Sequence, residues 1–308
     1  MKVRVLVNPA AGSGAAVAKL TGIETALKRH RLDYDVVRTQ GPGDAPRLVR
    51  EADEDGVDCI AVVGGDGTLN EVVQAYIDDK GQAQRGPDLA LIPAGTGGDF
   101  RRCFGLGDSA DAAISRLAES AAQKVDLGVV RLTSKTGESK LCAFINVTSF
   151  GIGGLTDRIV NSGPKWMGGR AAFFLGTLRA MATYKNAPVA VRVDGALAYE
   201  GLVLNVAIAN GRYFGGGMFI APNAELSDGL LDLVVLGDLT VAQSLRLAPK
   251  LYRGLHLNEP GVRHTRGAVV EAEPLRPTED VLIDMDGETP GRLPLRAELH
   301  RDALRFRA

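Results

Sequence analysis

The feature that most restricts the fold is a series of short strand-like segments, fully apolar at Cys59–Val63, separated by helical patterns over roughly the first 125 residues. Val3–Asn8, Tyr34–Thr39, Cys59–Val63 and Leu89–Pro93 read as strands, and Ala15–His30, Asp44–Glu54, Leu69–Asp78 and Asp108–Ala121 as helices. Strands without polar alternation are buried on both faces, and the intervening helices supply the cover, so the pattern predicts a parallel sheet. From about Lys124 the pattern changes. Lys124–Thr133 and Leu141–Phe150 flank a polar turn at Ser134–Lys140. Val189–Val193, Tyr199–Ala209, Leu230–Leu236, Ala268–Glu273 and Val281–Asp284 follow as strands, punctuated by Asp194-Gly195 and Asp228-Gly229. Gly169–Tyr184 and Val241–Gly254 read as helices. The expected architecture is an α/β domain at 1–125, to which about 297–308 returns, and a mainly antiparallel β-sandwich at 126–296.

With 308 residues, 45% of them hydrophobic and 24% charged, the chain has apolar mass for two cores. A formal net charge of −1 excludes a global field that would draw nucleic acid or membrane, while leaving room for a local basic patch. Cys59, Cys103 and Cys142 are scattered and odd in number, which argues against a disulfide framework or a zinc knuckle. Met1–Val7 is too short for the apolar region of a signal peptide, and no apolar stretch of about 18 residues occurs. The expectation is a reduced cytoplasmic protein whose membrane contact, if any, is peripheral.

The segment Val62-Val63-Gly64-Gly65-Asp66-Gly67-Thr68-Leu69-Asn70-Glu71 leaves a buried strand and opens a helix. Ligands bind at that end of a parallel sheet. Glycines allow close backbone approach, and successive N–H groups at a helix N-terminus favour an anion. Thr68 adds a hydroxyl. Asp66 would repel phosphate unless a cation lay between, which suggests Mg²⁺. The purely structural alternative is a glycine-rich turn with Asp66 as a cap. Two further loops fall in register: Asn8-Pro9-Ala10-Ala11-Gly12-Ser13-Gly14 after the first strand and Pro93-Ala94-Gly95-Thr96-Gly97-Gly98-Asp99-Phe100 after the fourth. All three would converge on one crevice. No G-x-x-x-x-G-K-[ST] sequence occurs, and Gly12-Ser13-Gly14 lacks the third glycine of a dinucleotide fingerprint.

Gly64–Asn70, with the Asn8-Pro9 opening and the Pro93–Phe100 loop, resembles the diacylglycerol kinase catalytic-domain family. That family includes bacterial lipid kinases and sphingosine and ceramide kinases, and is related to NAD kinases. Phe144–Gly151, Asn210–Met218, Pro222–Asp232 and Asp286-Gly287-Glu288 extend the resemblance over nearly the whole chain. It implies that Asn8, Thr39, Gly64, Gly65, Asp66, Gly67, Thr68, Leu69 and Asn70 hold ATP, with Gly95 and Thr96 contributing from the third loop. It implies that Asp66 positions phosphates and Mg²⁺. It makes Glu288 the general base for an acceptor hydroxyl, with Asp286 beside it as a further catalytic residue, on the domain that does not hold the nucleotide. A structural Mg²⁺ is implied at Glu225, Asp228 and Leu230, through the Asp228 carboxylate and the other two backbone oxygens. Without the resemblance, Asp284–Glu288 is a strand entering an acidic turn, and Asp228-Gly229 a turn. One departure stands out: the family shows Asn before the aspartate of the third loop, and this chain has Gly98.

The implied partner is a lipid such as diacylglycerol met at a membrane surface; a homodimer is left open, and no nucleic acid is expected. Lys165–Leu175, with Arg158 and Arg179, could form an interfacial ledge or be an ordinary helix with a core stripe of Phe173, Phe174 and Leu178. His30, His256, His264 and His300 are isolated and carry no expected chemistry. The competing readings are a kinase for a soluble acceptor such as NAD, and a nucleotide-binding regulator without catalysis.

Overall fold

The computed structural model describes residues 1–94, 98–153 and 184–308. They form two compact units, Met1–Leu127 with His300–Ala308, and Gly128–Leu299.

In the first unit β1 (Lys2–Val7), β2 (Asp33–Arg38), β3 (Cys59–Gly64) and β4 (Asp88–Pro93) form a parallel sheet in the order β4-β3-β1-β2. The helices are α1 (Ala15–Ala18), α2 (Leu20–Arg29), α3 (Ala45–Glu54), α4 (Asp66–Val73), α5 (Asp99–Arg102) and α6 (Ala110–Glu119). Every residue of β3 is buried, as its unbroken apolar run requires. Val3, Val5, Val7, Ala61, Val63 and Ile92 pack against α2 and α6. The alternate residues Leu6, Ile60, Val62 and Leu91 are buried too, with α3 over β1 and α4 over β3. The expected single helix Ala15–His30 is two, divided at Lys19, and Asp99–Arg102 adds a short helix that its four residues did not announce.

The second unit is antiparallel. It comprises the distal part of β5 (Gln123–Ser134), then β6 (Ser139–Phe144), β7 (Val147–Gly151), β8 (Ala187–Val193), β9 (Ala196–Val203), β10 (Asn205–Ala209), β11 (Leu231–Leu236), β12 (Val262–Gly267), β13 (Val269–Pro274), β14 (Leu282–Met285) and the first part of β15 (Glu288–Arg307). The strand order β12-β11-β10-β7-β14-β15 continues through β13, β8 and β9, and β5 and β6 branch from β15. Inward residues of these strands, among them Phe144, Phe150, Val206, Leu233, Val270 and Ile283, make one core. One helix, α7 (Val241–Leu251), starts with a capping box: Thr240 Oγ1 accepts the Gln243 N–H at 3.3 Å, and Gln243 Oε1 accepts the Thr240 N–H at 2.8 Å. An α/β unit with a parallel sheet and an antiparallel β-sandwich unit are the two fold classes of this chain.

Two expected strands are broken. Leu141–Phe150 is interrupted at Ile145–Asn146, and Tyr199–Ala209 at Leu204, whose N–H turns to Leu236 and Gly237 carbonyls. β12 has the sequence VRHTRG, too polar to register as a strand by composition. Most of the helix expected at Gly169–Tyr184, and the Lys165–Leu175 ledge with Arg158 and Arg179, lie outside the described residues. No helix among the described residues is long and apolar enough to cross a membrane.

β15 runs without interruption from the second unit into the first, where Phe306 and Arg307 pair in parallel with Leu89 and Ala90 of β4. Phe306 is fully buried. Its ring lies 5.2 Å from Phe100 of α5, edge-on, and 5.0 Å from Phe104, stacked. Truncating it removes a large buried ring from beneath α5. Phe306→Ala should lower unfolding stability by ~3–5 kcal/mol in denaturant titration; a loss below about 1 kcal/mol would mean that the cluster does not brace the unit.

Candidate functional site

The first-unit site is built from the carboxyl ends of β1, β3 and β4. Asn8 follows β1, and its Nδ2 donates to Thr68 Oγ1 at 3.2 Å, while its Oδ1 accepts the Ala10 N–H at 3.0 Å. The Ala94 N–H reaches Gly64 O at 3.0 Å, and Lys19 Nζ reaches Pro93 O at 3.1 Å. Two glycines are sterically required. A Cβ on Gly64 would sit 2.5 Å from Thr68 Oγ1, and one on Gly12, at φ +58°, would strike the Ala94 carbonyl. The structure therefore brings Asn8, Gly64, Thr68 and the end of β4 into one knot. Leu69 and Asn70 lie buried in α4 behind it. Thr39, 8% exposed, bonds through its N–H to Val7 O at 3.0 Å, at the same rim. Glu71 ties the loop beyond Thr39 to α4 by accepting the Gly43 N–H at 3.4 Å; burial raises its carboxyl pKa, and that N–H lowers it.

Asp66 has a task that its sequence setting did not disclose. Its carboxylate accepts the N–H groups of Gly98, Asp99 and Phe100 at 2.8, 2.8 and 3.2 Å. These are donors at the start of α5 that no helical carbonyl can satisfy. The sequence reading assigned Asp66 to phosphates and Mg²⁺. The structure makes it the clamp that fixes the third loop, with both oxygens engaged. Gly95 and Thr96 lie outside the described residues. Gly98, at φ +131°, occupies backbone space that L side chains rarely adopt, and a Cβ there would run into the Arg101 guanidinium. That accounts for glycine at the family's asparagine position.

In the second unit Asp286 and Gly287, at φ +50° and +90°, form the tight turn between β14 and β15. Asp286 is 7% exposed. Its carboxylate accepts the N–H groups of Ile145, Asn146 and Val147 at 3.0, 3.2 and 2.9 Å, and this is what breaks the strand expected at Leu141–Phe150. Asp286, expected as a catalytic carboxylate, is in the structure a buried fastener of this turn. Asp284, absent from the sequence-based set, accepts the Ser149 hydroxyl at 3.2 Å and the Gly287 N–H at 3.0 Å, so it holds the turn from inside. Its place at the end of a strand, two residues before Asp286 in the turn, was the available signal. Glu288 follows the turn with its side chain exposed.

The implied structural cation does not fit. Asp228 Oδ1 accepts the Leu230 N–H at 3.0 Å, and Oδ2 pairs with Arg266 Nη2. Arg266 Nε also meets Asp232, which is fully buried, at 3.0 Å, and His264 Nε2 lies 2.7 Å from the same carboxylate. Glu225 and Leu230 would offer backbone oxygens alone, so the guanidinium on the single carboxylate decides the fit. The positive charge beside Asp228 is a guanidinium. Sequence reading missed it because Arg266 lies on β12, directly across from Asp232 on β11.

Residues 2–130 match the family model for the diacylglycerol kinase catalytic domain, and residues 146–308 match that for the YegS C-terminal NAD kinase beta sandwich-like domain. The chain belongs to the diacylglycerol kinase catalytic-domain family, a family of lipid-kinase phosphotransferases. It is 32% identical over 279 residues to a diacylglycerol kinase of Mycobacterium tuberculosis (strain ATCC 25618 / H37Rv), covering 88% of this chain and 85% of that one. It is 30% identical to a protein of Xanthomonas campestris pv. campestris (strain 8004) named "Probable lipid kinase YegS-like", over 98% and 94% of the two chains. In fold it matches a diacylglycerol kinase from Bacillus anthracis str. Sterne, with a TM-score of 0.72, 24% identity and coverage of 99% and 96%. An NAD kinase from Archaeoglobus fulgidus shares the fold at a TM-score of 0.53 and 14% identity, over 100% and 94%.

Two outcomes follow from this geometry. Gly98→Asn, which restores the family's residue, should destabilise the protein by about 1–3 kcal/mol, because asparagine must take a strained backbone against Arg101; a variant as stable as the parent would refute that account. Chelation with EDTA should leave the melting temperature unchanged, whereas Arg266→Ala, which strips the buried Asp232 of one of its two side-chain partners, should cost about 3 kcal/mol. A melting point that falls in EDTA and returns with Mg²⁺ would restore the cation to Asp228.

Proposed function

We propose that the protein is an ATP-dependent lipid kinase that phosphorylates a hydroxyl group of a lipid of the diacylglycerol class. The observation that carries this reading is the knot of β-to-α turns in the first unit, fixed by Asn8, Thr68 and Asp66 in a chain of a lipid-kinase family. Such a knot presents backbone donors at strand ends without further ordering, which suits a polyphosphate. The names of the Mycobacterium and Xanthomonas relatives support a lipid acceptor.

In this reading Asn8, Thr39, Gly64–Asn70 and the third loop, with Gly95 and Thr96, hold the nucleotide. Mg²⁺ arrives with ATP as part of the substrate, since Asp66 already serves three N–H groups. The acceptor oxygen attacks the γ-phosphorus, the bond to the β-phosphate bridging oxygen breaks, and ADP leaves. Glu288 takes the hydroxyl proton, and its exposure supports that role because a buried base could not meet a lipid alcohol. Asp286 and Asp284 act through the turn they hold, as positioning residues. The protein works in the cytoplasm, at the inner face of the membrane.

The test incubates labelled ATP and Mg²⁺ with dispersed diacylglycerol, with NAD and with no acceptor. Label should enter the organic phase with the lipid only, and label on NAD would replace the acceptor class. Glu288→Ala should reduce transfer by at least about a thousandfold while leaving ATP affinity within a factor of about two. Near-normal turnover in that variant would remove Glu288 from the base role.

A further inference from the structure

We propose that α7 and the turn after it form the surface by which the protein rests on an anionic lipid bilayer. This rests on the lipid-kinase reading and names the element that brings that enzyme to its substrate.

The helix uses two apolar faces. Leu247 and Leu251 point into the unit and join a core with Ile220, Ala221 and Val234. Val241, Leu245 and Tyr252, spaced by four and seven, fall within about 40° of one another around the axis, on a different line. They are 52%, 55% and 55% exposed, and Leu255 beyond the helix is 56% exposed. Surface apolar residues scattered singly need no explanation, but four gathered on one element do. Together they expose roughly 400 Å², the scale of the largest apolar patch on a typical monomer.

The charges choose the occupant. Arg246 and Arg253 lie together on one side of the apolar line, roughly 100–120° around the axis from its centre; they are exposed and carry no ion pair among the described residues, and Lys250 beside them pairs with Glu259 at 2.6 Å. The helix has no acidic residue. Apolar side chains bordered by arginines on a preformed helix are what an interfacial element offers to acyl chains and anionic headgroups at once. A second copy suits the face less well. A two-fold contact would bring arginines against arginines, and roughly 400 Å² is about half of what each partner buries in a standard interface. Pro249 limits the depth of insertion, because the Leu245 carbonyl has no helical N–H to accept and so must stay near water.

The experiment sediments the full-length protein, without nucleotide, with vesicles of phosphatidylglycerol and phosphatidylcholine and with vesicles of phosphatidylcholine alone. The parent should bind the anionic vesicles. Leu245→Glu with Tyr252→Glu, and separately Arg246→Glu with Arg253→Glu, should each weaken binding by at least about tenfold while keeping the parent's melting temperature and its turnover of short-chain diacylglycerol in detergent micelles. Failure of the parent to bind, or parent-like binding by either pair of variants, overturns the proposal. A parent dimer in light scattering that Leu245→Glu with Tyr252→Glu splits would assign the face to a second copy and overturn it too. Vesicle binding without phosphate transfer to lipid would sink the kinase reading alone, and transfer without vesicle binding would sink the docking surface alone.

Discussion

Each unit depends on one aspartate that collects three backbone N–H groups. A carboxylate is the only common side chain able to accept that many donors with two oxygens, and charge assistance makes each bond stronger than a neutral one. Asp66 does this at the start of α5, and Asp286 at the break between β6 and β7. In both cases the donors belong to chain that has left its regular ladder and would otherwise be buried or strained without partners. The result is a rigid turn whose own side chains are aimed by main-chain geometry.

This division of labour changes how acidic motifs in the chain are read. Asp66, Asp284 and Asp286 lie in segments where carboxylates suggest chemistry, yet all three have their oxygens turned to the protein's own N–H and O–H groups. Glu288, one residue beyond the Asp286-Gly287 turn, is the side chain held outward. The inward carboxylates set where the outward one stands. At Asp228 a side chain supplies the positive charge: Arg266 spans Asp228 and the buried Asp232, and so ties β12 to β11 and to the turn before it.

What could be read from sequence was whatever local pattern determines. The apolar runs of β3 and β4 announced the core of the parallel sheet, and at Gly12 and Gly64, in the loops after β1 and β3, close approach leaves few alternatives to glycine. What escaped was set by distant partners. Nothing near Ile145 tells that its N–H will go to a carboxylate 141 positions later, so one strand was expected where two occur. Asp66 meets donors 32 to 34 positions away, so its clamp was hidden behind the more familiar phosphate reading. β12 carried too few apolar residues to announce itself, and with it went the arginine that answers Asp228.

The course of β15 bears on how the protein is made. The last residues of the chain complete the sheet that its first residues begin, because Phe306 and Arg307 cover the open side of β4. Until β15 has been made, β4 keeps an apolar edge without a partner, open to wrong strand pairing. The α/β unit therefore closes late, on a strand that must first cross the whole of its neighbour.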